Sequence, residues 1–213
     1  MIGGLTGSQR VGKTTLATAY AEKVGGVLVA CSTGETIASL GLDPTKPMSF
    51  DDRMRAQEAV LDYYVSLYER SEKFKTVCIF DRTPIDLIAY ALSDVTGSME
   101  PSKEGTERLN RYIDRCFDVA NRYFAFIVHV QPGIEIVDAP LKASTDPRFI
   151  EKMNTLVAGI LCDPRNQVPD FIIPRSITSI EERIKAMEFA QKKSIAYAER
   201  DLGEYRDQGL LVH

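Results

Sequence analysis

The chain has 213 residues, of which 44% are hydrophobic and 26% are charged, and its formal net charge at pH 7 is −4. This length and composition suit a single α/β domain over residues 1–213, with an added lid. The mild negative charge excludes a globally basic field that would draw the protein to nucleic acid, and two histidines are too few for a histidine-based metal site or triad.

The first motif is a phosphate-binding loop at residues 7–14, Gly-Ser-Gln-Arg-Val-Gly-Lys-Thr. Its glycines let successive backbone N–H groups turn toward one phosphate. An apolar run at residues 2–6 predicts a strand before the loop, and helical spacing over residues 14–24 predicts a helix after it. Lys13 can reach the β and γ phosphates of ATP, and the Thr14 hydroxyl can hold Mg²⁺. The predicted nucleotide-binding residues are Gly7, Ser8, Gln9, Arg10, Val11, Gly12, Lys13, Thr14 and Thr15.

Strands and helices alternate along the rest of the chain. Further apolar runs predict strands at residues 27–30, 76–80, 124–130 and 171–173. The helices between them have predicted start signals at Asp51 or Asp52, at Pro84, at Asp146-Pro147 and at a capping box, Thr178-x-x-Glu181. This alternation predicts a parallel sheet covered on both faces. The predicted fold class is α/β, a P-loop NTPase three-layer α/β/α sandwich with a five-stranded parallel sheet and a small helical lid at about residues 138–150.

The second informative site is Asp81-Arg82, which follows the third predicted strand. A parallel sheet carries its active site at the carboxyl ends of its strands, so Asp81 should emerge beside the phosphate loop. There its carboxylate can hold Mg²⁺ or take a proton from an attacking hydroxyl, and Arg82 can clamp an anionic acceptor or the γ-phosphate. The structural alternative is that Asp81 caps the helix beginning near Pro84, with Arg82 in a surface salt bridge.

A phosphate loop of form G-x-x-x-x-G-K-T-T, then Arg53-x-x-x-Gln57 on a helix, then an apolar strand ending in Asp-Arg, resembles the P-loop nucleoside and nucleotide kinase group. That group includes thymidylate kinases, deoxynucleoside kinases and ribosylnicotinamide-kinase-like ATPases. The resemblance covers residues 1 to about 95. It implies that Asp81 and Arg82 face the acceptor and the phosphates. It also implies that Gln57 contacts the acceptor base and that Arg53 approaches an acceptor phosphate.

Two departures from the group's pattern leave roles open. Deoxynucleoside kinases often carry a glutamate at the end of the second strand as general base, whereas this chain has Cys31-Ser32-Thr33 there and Glu35 slightly later. Either Glu35 or Asp81 fills that role. The R-x-x-x-R run that many nucleotide kinases carry in their lid is also missing after the fourth predicted strand. Arg148 lies in the first turn of a predicted helix, where a cation opposes the macrodipole, so it is either a phosphate ligand or a solvated surface arginine.

These residues predict an ATP-dependent kinase that acts on a nucleoside or a nucleoside monophosphate, with ATP and Mg²⁺ as cofactors. The catalytic candidates are Lys13, Asp81, Arg82 and Arg148. The acceptor-binding candidates are Glu35, Arg53, Gln57 and Arg82, and the Mg²⁺ ligands are Thr14 and Asp81. One alternative is a kinase that phosphorylates a 5′ end or modified base in a polynucleotide, which would need the arginines of a helix over residues 108–122 to form an open ridge. The other is a partner-stimulated ATPase or regulator.

The expected partner is a nucleoside or nucleotide acceptor; nucleic acid is less favoured, no membrane partner is expected, and a homodimer is left open. The widely spaced cysteines predict reduced core residues, namely Cys31, Cys78, Cys116 and Cys162. Together with the lack of a signal peptide and of an 18-residue apolar run, this predicts a cytoplasmic protein.

Overall fold

A computed structural model describes residues 1–43, 46, 48–94, 102–135 and 146–207. The strands are β1 (Ile2–Thr6), β2 (Val27–Val29), β3 (Cys78–Phe80), β4 (Phe126–Val130) and β5 (Asp170–Ile173). The helices in this part of the chain are α1 (Lys13–Val24), α2 (Thr33–Ser39), α3 (Phe50–Ser71), α4 (Pro84–Asp94), α5 (Lys103–Tyr123), α6 (Pro147–Leu161) and α7 (Ile180–Asp207). Among these helices none is both long enough and apolar enough to span a membrane.

The strands form one parallel sheet in the order β2-β3-β1-β4-β5. Strand β1 is central: Gly4 is in register with Phe80 of β3, and Thr6 is in register with His129 of β4. The carboxyl ends of β1 and β3 are therefore neighbours, so the loops that follow them leave the same edge of the sheet. The predicted five-stranded parallel sheet is confirmed.

Both faces of the sheet are covered, because the buried strand residues point alternately to opposite sides. Helices α1 and α7 cover one face, where Leu5, Ile79 and Val128 pack with Leu16 and Met187. Helices α3 to α6 cover the other face, around a larger core of aromatic and aliphatic side chains. In that core the Tyr68 ring contacts the edges of Phe80 and Phe124, with centroid distances of 4.7 and 5.0 Å. The three-layer α/β/α sandwich is confirmed.

Two predicted helix caps are wrong by a few residues. Helix α3 is capped by Ser49, whose hydroxyl accepts the Asp52 N–H, and not by Asp51 or Asp52. Before α7, the Ser179 hydroxyl accepts the Glu182 N–H and donates to the Glu182 carboxylate, so the box lies one residue later than Thr178-x-x-Glu181. The phase of α7 explains the shift, because the buried stripe that packs on the sheet fixes where its first turn begins.

Two further predictions concern the cysteines and the lid. All four cysteines are free, but Cys162 is exposed at the end of α6, so the prediction of a core position is wrong for that residue. It comes directly after the last residue of α6, where the chain enters a turn. Residues 138–145 of the predicted lid lie outside the described residues. Residues 146–150 form the start of α6, with Asp146 as the N-cap.

We expect Ser179→Ala to lower the free energy of unfolding by about 1 kcal/mol, because it removes the cap of α7. Urea denaturation monitored by circular dichroism measures this change. Thr178→Ala is the matched control, since Thr178 is exposed and lies one residue before the cap. An equal loss in both variants would contradict the assignment of Ser179 as the cap.

Candidate active site

The phosphate loop after β1 turns through left-handed backbone conformations. Gly7 has a φ of 138°, Arg10 of 68° and Gly12 of 85°. A Cβ atom on Gly7 would lie 2.6 Å from the Val130 carbonyl oxygen, so a side chain at this position would collide with the end of β4. The first glycine of the motif is thus required both by its φ and by the close approach of a neighbouring strand.

Lys13 lies across this loop. Its ammonium donates to the carbonyl oxygens of Gly7 at 2.8 Å and of Ser8 at 2.7 Å, and the side chain is buried. Burial lowers the pKa of Lys13, while the carboxylates of Asp86 and Asp81 act in the opposite direction. The loop therefore holds one buried positive charge at the point where α1 begins, which is where an anion is best stabilised.

Asp86 holds the start of the phosphate loop through a buried hydrogen bond. This carboxylate is fully buried, with Oδ1 accepting the Gly7 N–H at 3.0 Å and Oδ2 accepting the Thr83 N–H at 2.9 Å. No motif in the sequence predicts a role for Asp86. The available signal was an acidic residue in the first turn of α4 between the apolar residues Ile85 and Leu87.

Asp81 emerges from the end of β3 and meets the loop. Its Oδ2 accepts the hydroxyl of Thr14, and its Oδ1 is buried with no hydrogen-bond partner among the described residues. Burial raises the pKa of Asp81, and the Thr14 hydroxyl and the Lys13 charge partly offset this effect. Thr83 instead satisfies a free N–H in the first turn of α4, because its hydroxyl accepts the Ile85 N–H at 3.2 Å. The alternative in which Asp81 caps this helix is therefore not the arrangement observed.

Arg82, the next residue, points into a cavity. Its guanidinium lies 5.2 Å from the centroid of the Tyr90 ring, in a cation–π contact rather than a surface salt bridge. The cavity has a volume of about 340 Å³ and lies between α2, α3, α4 and α6. Its lining consists of Thr33, Ile37, Met48, Arg53, Ala56, Gln57, Val60, Arg82, Leu87, Tyr90 and Phe149.

The structure brings together some of the predicted acceptor residues and separates others. Arg53, Gln57 and Arg82 all line the cavity, and the Gln57 side-chain oxygen accepts the Tyr112 hydroxyl at 3.2 Å. Glu35 is exposed on α2 and is not among the lining residues. Arg148 is 92% exposed and pairs with Asp146, so it points to solvent and its catalytic role stays a prediction.

A family profile described as an AAA domain matches residues 4–183. The chain belongs to this AAA domain family. No curated protein matches its sequence.

Solved structures show which fold this AAA domain shares. It is similar to deoxyadenosine kinase from M. mycoides, at 15% identity and a TM-score of 0.58, with 91% of this chain and 100% of that chain covered. Thymidylate kinase from Candida albicans gives 14% identity and a TM-score of 0.58, with coverage of 90% and 91%. NadR, in complex with NAD and AMP-PNP, gives 15% identity and a TM-score of 0.64. That match covers 89% of this chain but only 49% of the NadR chain. The resemblance to P-loop nucleoside and nucleotide kinases is confirmed in the fold.

We expect Asp86→Asn to lower the free energy of unfolding by about 1–3 kcal/mol. An asparagine keeps one acceptor oxygen but turns an NH₂ group against the N–H of Gly7 or Thr83, so one buried donor loses its acceptor. Urea denaturation without nucleotide measures the loss.

Asp81→Asn is the control for that experiment. Because burial disfavours the charged form of Asp81, as its raised pKa indicates, removing the charge should leave the stability equal to or above that of the wild type. If Asp86→Asn unfolds at the wild-type urea concentration, the carboxylate does not hold the loop.

Proposed function

We propose that this protein is an ATP-dependent phosphotransferase whose acceptor is a nucleoside monophosphate. The observation that carries the proposal is a cavity lined by Arg53 and Arg82, whose lining residue Tyr90 donates its hydroxyl to Gln9 of the phosphate loop at 3.4 Å. Arg82 directly follows Asp81, whose carboxylate bonds Thr14 of the loop, so the cavity and the loop are joined through adjacent residues. A bound acceptor in the cavity would therefore lie close to a nucleotide on the loop.

The charges in the cavity favour a monophosphate over an uncharged nucleoside. Its lining residues, as far as the structure describes them, include two arginines and no carboxylate. Transfer to a neutral hydroxyl calls for a general base, whereas a phosphate oxygen is largely ionised at neutral pH because its second pKa is about 6. Glu35 is exposed, and Asp81 is proposed as a Mg²⁺ ligand, so an acceptor that needs no base suits this site, and guanidinium groups suit its phosphate.

The donor would be held by the loop. Its inward N–H groups and Lys13 would neutralise charge on the β and γ phosphates, and the N-terminus of α1 would add its dipole. Arg82 would stabilise the transferring group from the acceptor side.

Mg²⁺ fits beside this loop. The buried Oδ1 of Asp81 lacks a hydrogen-bond partner among the described residues, and such a carboxylate oxygen next to the Thr14 hydroxyl is a donor set that Mg²⁺ prefers. Thr14 and Asp81 would hold the ion, which when bound supplies positive charge to the phosphates. The described residues contain no cluster of three histidine, cysteine, aspartate or glutamate side chains suited to a metal, so nucleotide oxygens and water would complete its ligands.

The contacts of α5 speak for a small acceptor rather than a polynucleotide. Arg108 donates from Nε and Nη2 to the two carboxylate oxygens of Glu58 on α3, at 2.8 and 2.7 Å. Nη2 of Arg115 lies 2.5 Å from Oδ1 of Asp62, which is also on α3. These two arginines are thus ion-paired with α3, which speaks against the open ridge of arginines that a polynucleotide acceptor would need.

The test is transfer from γ-labelled ATP with Mg²⁺ to a panel of nucleosides, nucleoside monophosphates and single- and double-stranded oligonucleotides. Label on a monophosphate supports the proposal, and label on a nucleoside alone would overturn the acceptor class. Label on an oligonucleotide would support the second kinase alternative. Release of free phosphate without any labelled acceptor would favour an ATPase.

In the same assay, Lys13→Ala should abolish transfer, because it removes the loop's buried positive charge. Asp81→Asn should lower turnover by about two orders of magnitude or more, while ATP binding measured by calorimetry stays largely intact. A fully active Asp81→Asn variant would contradict the role given to the end of β3.

Arg53→Met should raise the KM for a monophosphate acceptor by about tenfold or more and change the KM for ATP by less than about twofold. Arg55→Met is the matched control, because Arg55 lies on the same helix but is exposed and pairs with Asp52. Equal effects of the two substitutions on the acceptor KM would argue against the cavity as the acceptor site.

A further inference from the structure

Arg183 is a buried arginine that reaches the phosphate loop from α7. Its side chain is 2% exposed. Nε donates to the Ile177 carbonyl at 2.9 Å, and Nη1 donates to the Val11 carbonyl at 2.7 Å. The latter bond joins residues 172 positions apart and is buried, so it ties the last helix to the middle of the loop.

The bond to Val11 fixes the orientation of a peptide group that belongs to the nucleotide site. In a planar trans peptide the C=O and the N–H point in opposite directions. Because the Val11 oxygen faces Arg183, the N–H of Gly12 points away from that side chain. The packing is close, since a Cβ atom on Gly12 would lie 3.1 Å from Nη1 of Arg183.

The charge of Arg183 is placed against local preference. It lies in the first turn of α7 and beside Gly12, the N-cap of α1, so it is close to the positive ends of two helix dipoles. No carboxylate pairs with it in the part of the chain that the structure describes, and its Nη2 is buried without a hydrogen-bond partner there. A buried cation of this kind is costly unless an anion comes near it.

We propose that Arg183 is a positioning residue for phosphate binding, which aims the Gly12 N–H at the nucleotide and has its own charge balanced when the phosphates bind. This inference rests on nucleotide binding by the loop, as in the proposed function. Arg183 acts through the Val11–Gly12 peptide and through its field, without a requirement that it touch the nucleotide.

The test compares Arg183→Met and Arg183→Lys with the wild type, using ATP and Mg²⁺ in isothermal titration calorimetry. Arg183→Met should weaken ATP binding by about tenfold or more, the scale expected for a lost hydrogen bond to a charged group. Arg183→Lys keeps the charge but has a single ammonium in place of the two-point fork, so it should recover part of the lost affinity and bind ATP at least about threefold more tightly than Arg183→Met. In the transfer assay the KM for ATP should rise with Arg183→Met while the KM for the acceptor stays the same.

Lys185→Met is the control, because Lys185 is exposed two residues further along α7. It should bind ATP like the wild type. If Arg183→Met does not fold, as judged by circular dichroism, Arg183→Gln takes its place and must show the same weakening, because it too lacks the charge.

The outcomes separate this inference from the proposed function. If the wild type binds no nucleotide, the proposed function fails first. If the wild type binds ATP, Lys13→Ala does not, and a folded variant without the Arg183 charge binds as well as the wild type, then only the role of Arg183 is overturned. Weakening that Arg183→Lys does not reverse even in part would likewise overturn it, since a general packing defect would then explain the loss.

Discussion

The arrangement of this site depends on the buried Asp86 carboxylate. It accepts one N–H from the first residue of the phosphate loop and another from Thr83, at the start of α4. The loop that leaves β1 and the segment that leaves β3 are thereby held to a single side chain. Asp81 and Arg82 lie within that second segment, so their distance from the loop is set by the same pair of bonds. The sheet places the ends of β1 and β3 side by side. The two hydrogen bonds of Asp86 then hold the segments that follow these strands in one fixed arrangement.

Around Asp86 the site carries more positive than negative charge. Lys13 and Arg183 are buried and Arg82 is partly buried, and the carboxylates that act on Lys13 are those of Asp81 and Asp86. This local excess of positive charge is opposite in sign to the net charge of the protein, which is −4. Such an excess costs stability in the isolated fold and is relieved by a polyanionic ligand. The energetic cost of the site is thus tied to the ligand that we propose for it.

The parts of the site that could be predicted are those with a local pattern. The phosphate loop is contiguous in sequence, and Asp81 follows from the rule that parallel strands present their carboxyl ends at one edge. Asp86 and Arg183 act on partners 79 and 172 residues away, and no local spacing encodes such contacts. Asp86 and Arg183 are nevertheless visible in the sequence as charged residues on otherwise apolar helix faces. The helix caps were displaced because the buried stripe, which depends on tertiary packing, sets the phase of each helix. Arg148 lies in an unfavourable place for a cation near the start of a helix, but its ion pair with Asp146 offsets this.

The cavity lined by arginines also bears on the discrimination against water. A water molecule that enters meets guanidinium groups and apolar walls, with no carboxylate among the described lining residues to take its proton. For the proposed reaction this means that the competing nucleophile is left unactivated, while an ionised phosphate oxygen needs no such help. Selectivity between transfer and hydrolysis would then come from the acceptor's own protonation state. The substrate itself would decide whether the phosphoryl group is transferred to it or lost to water.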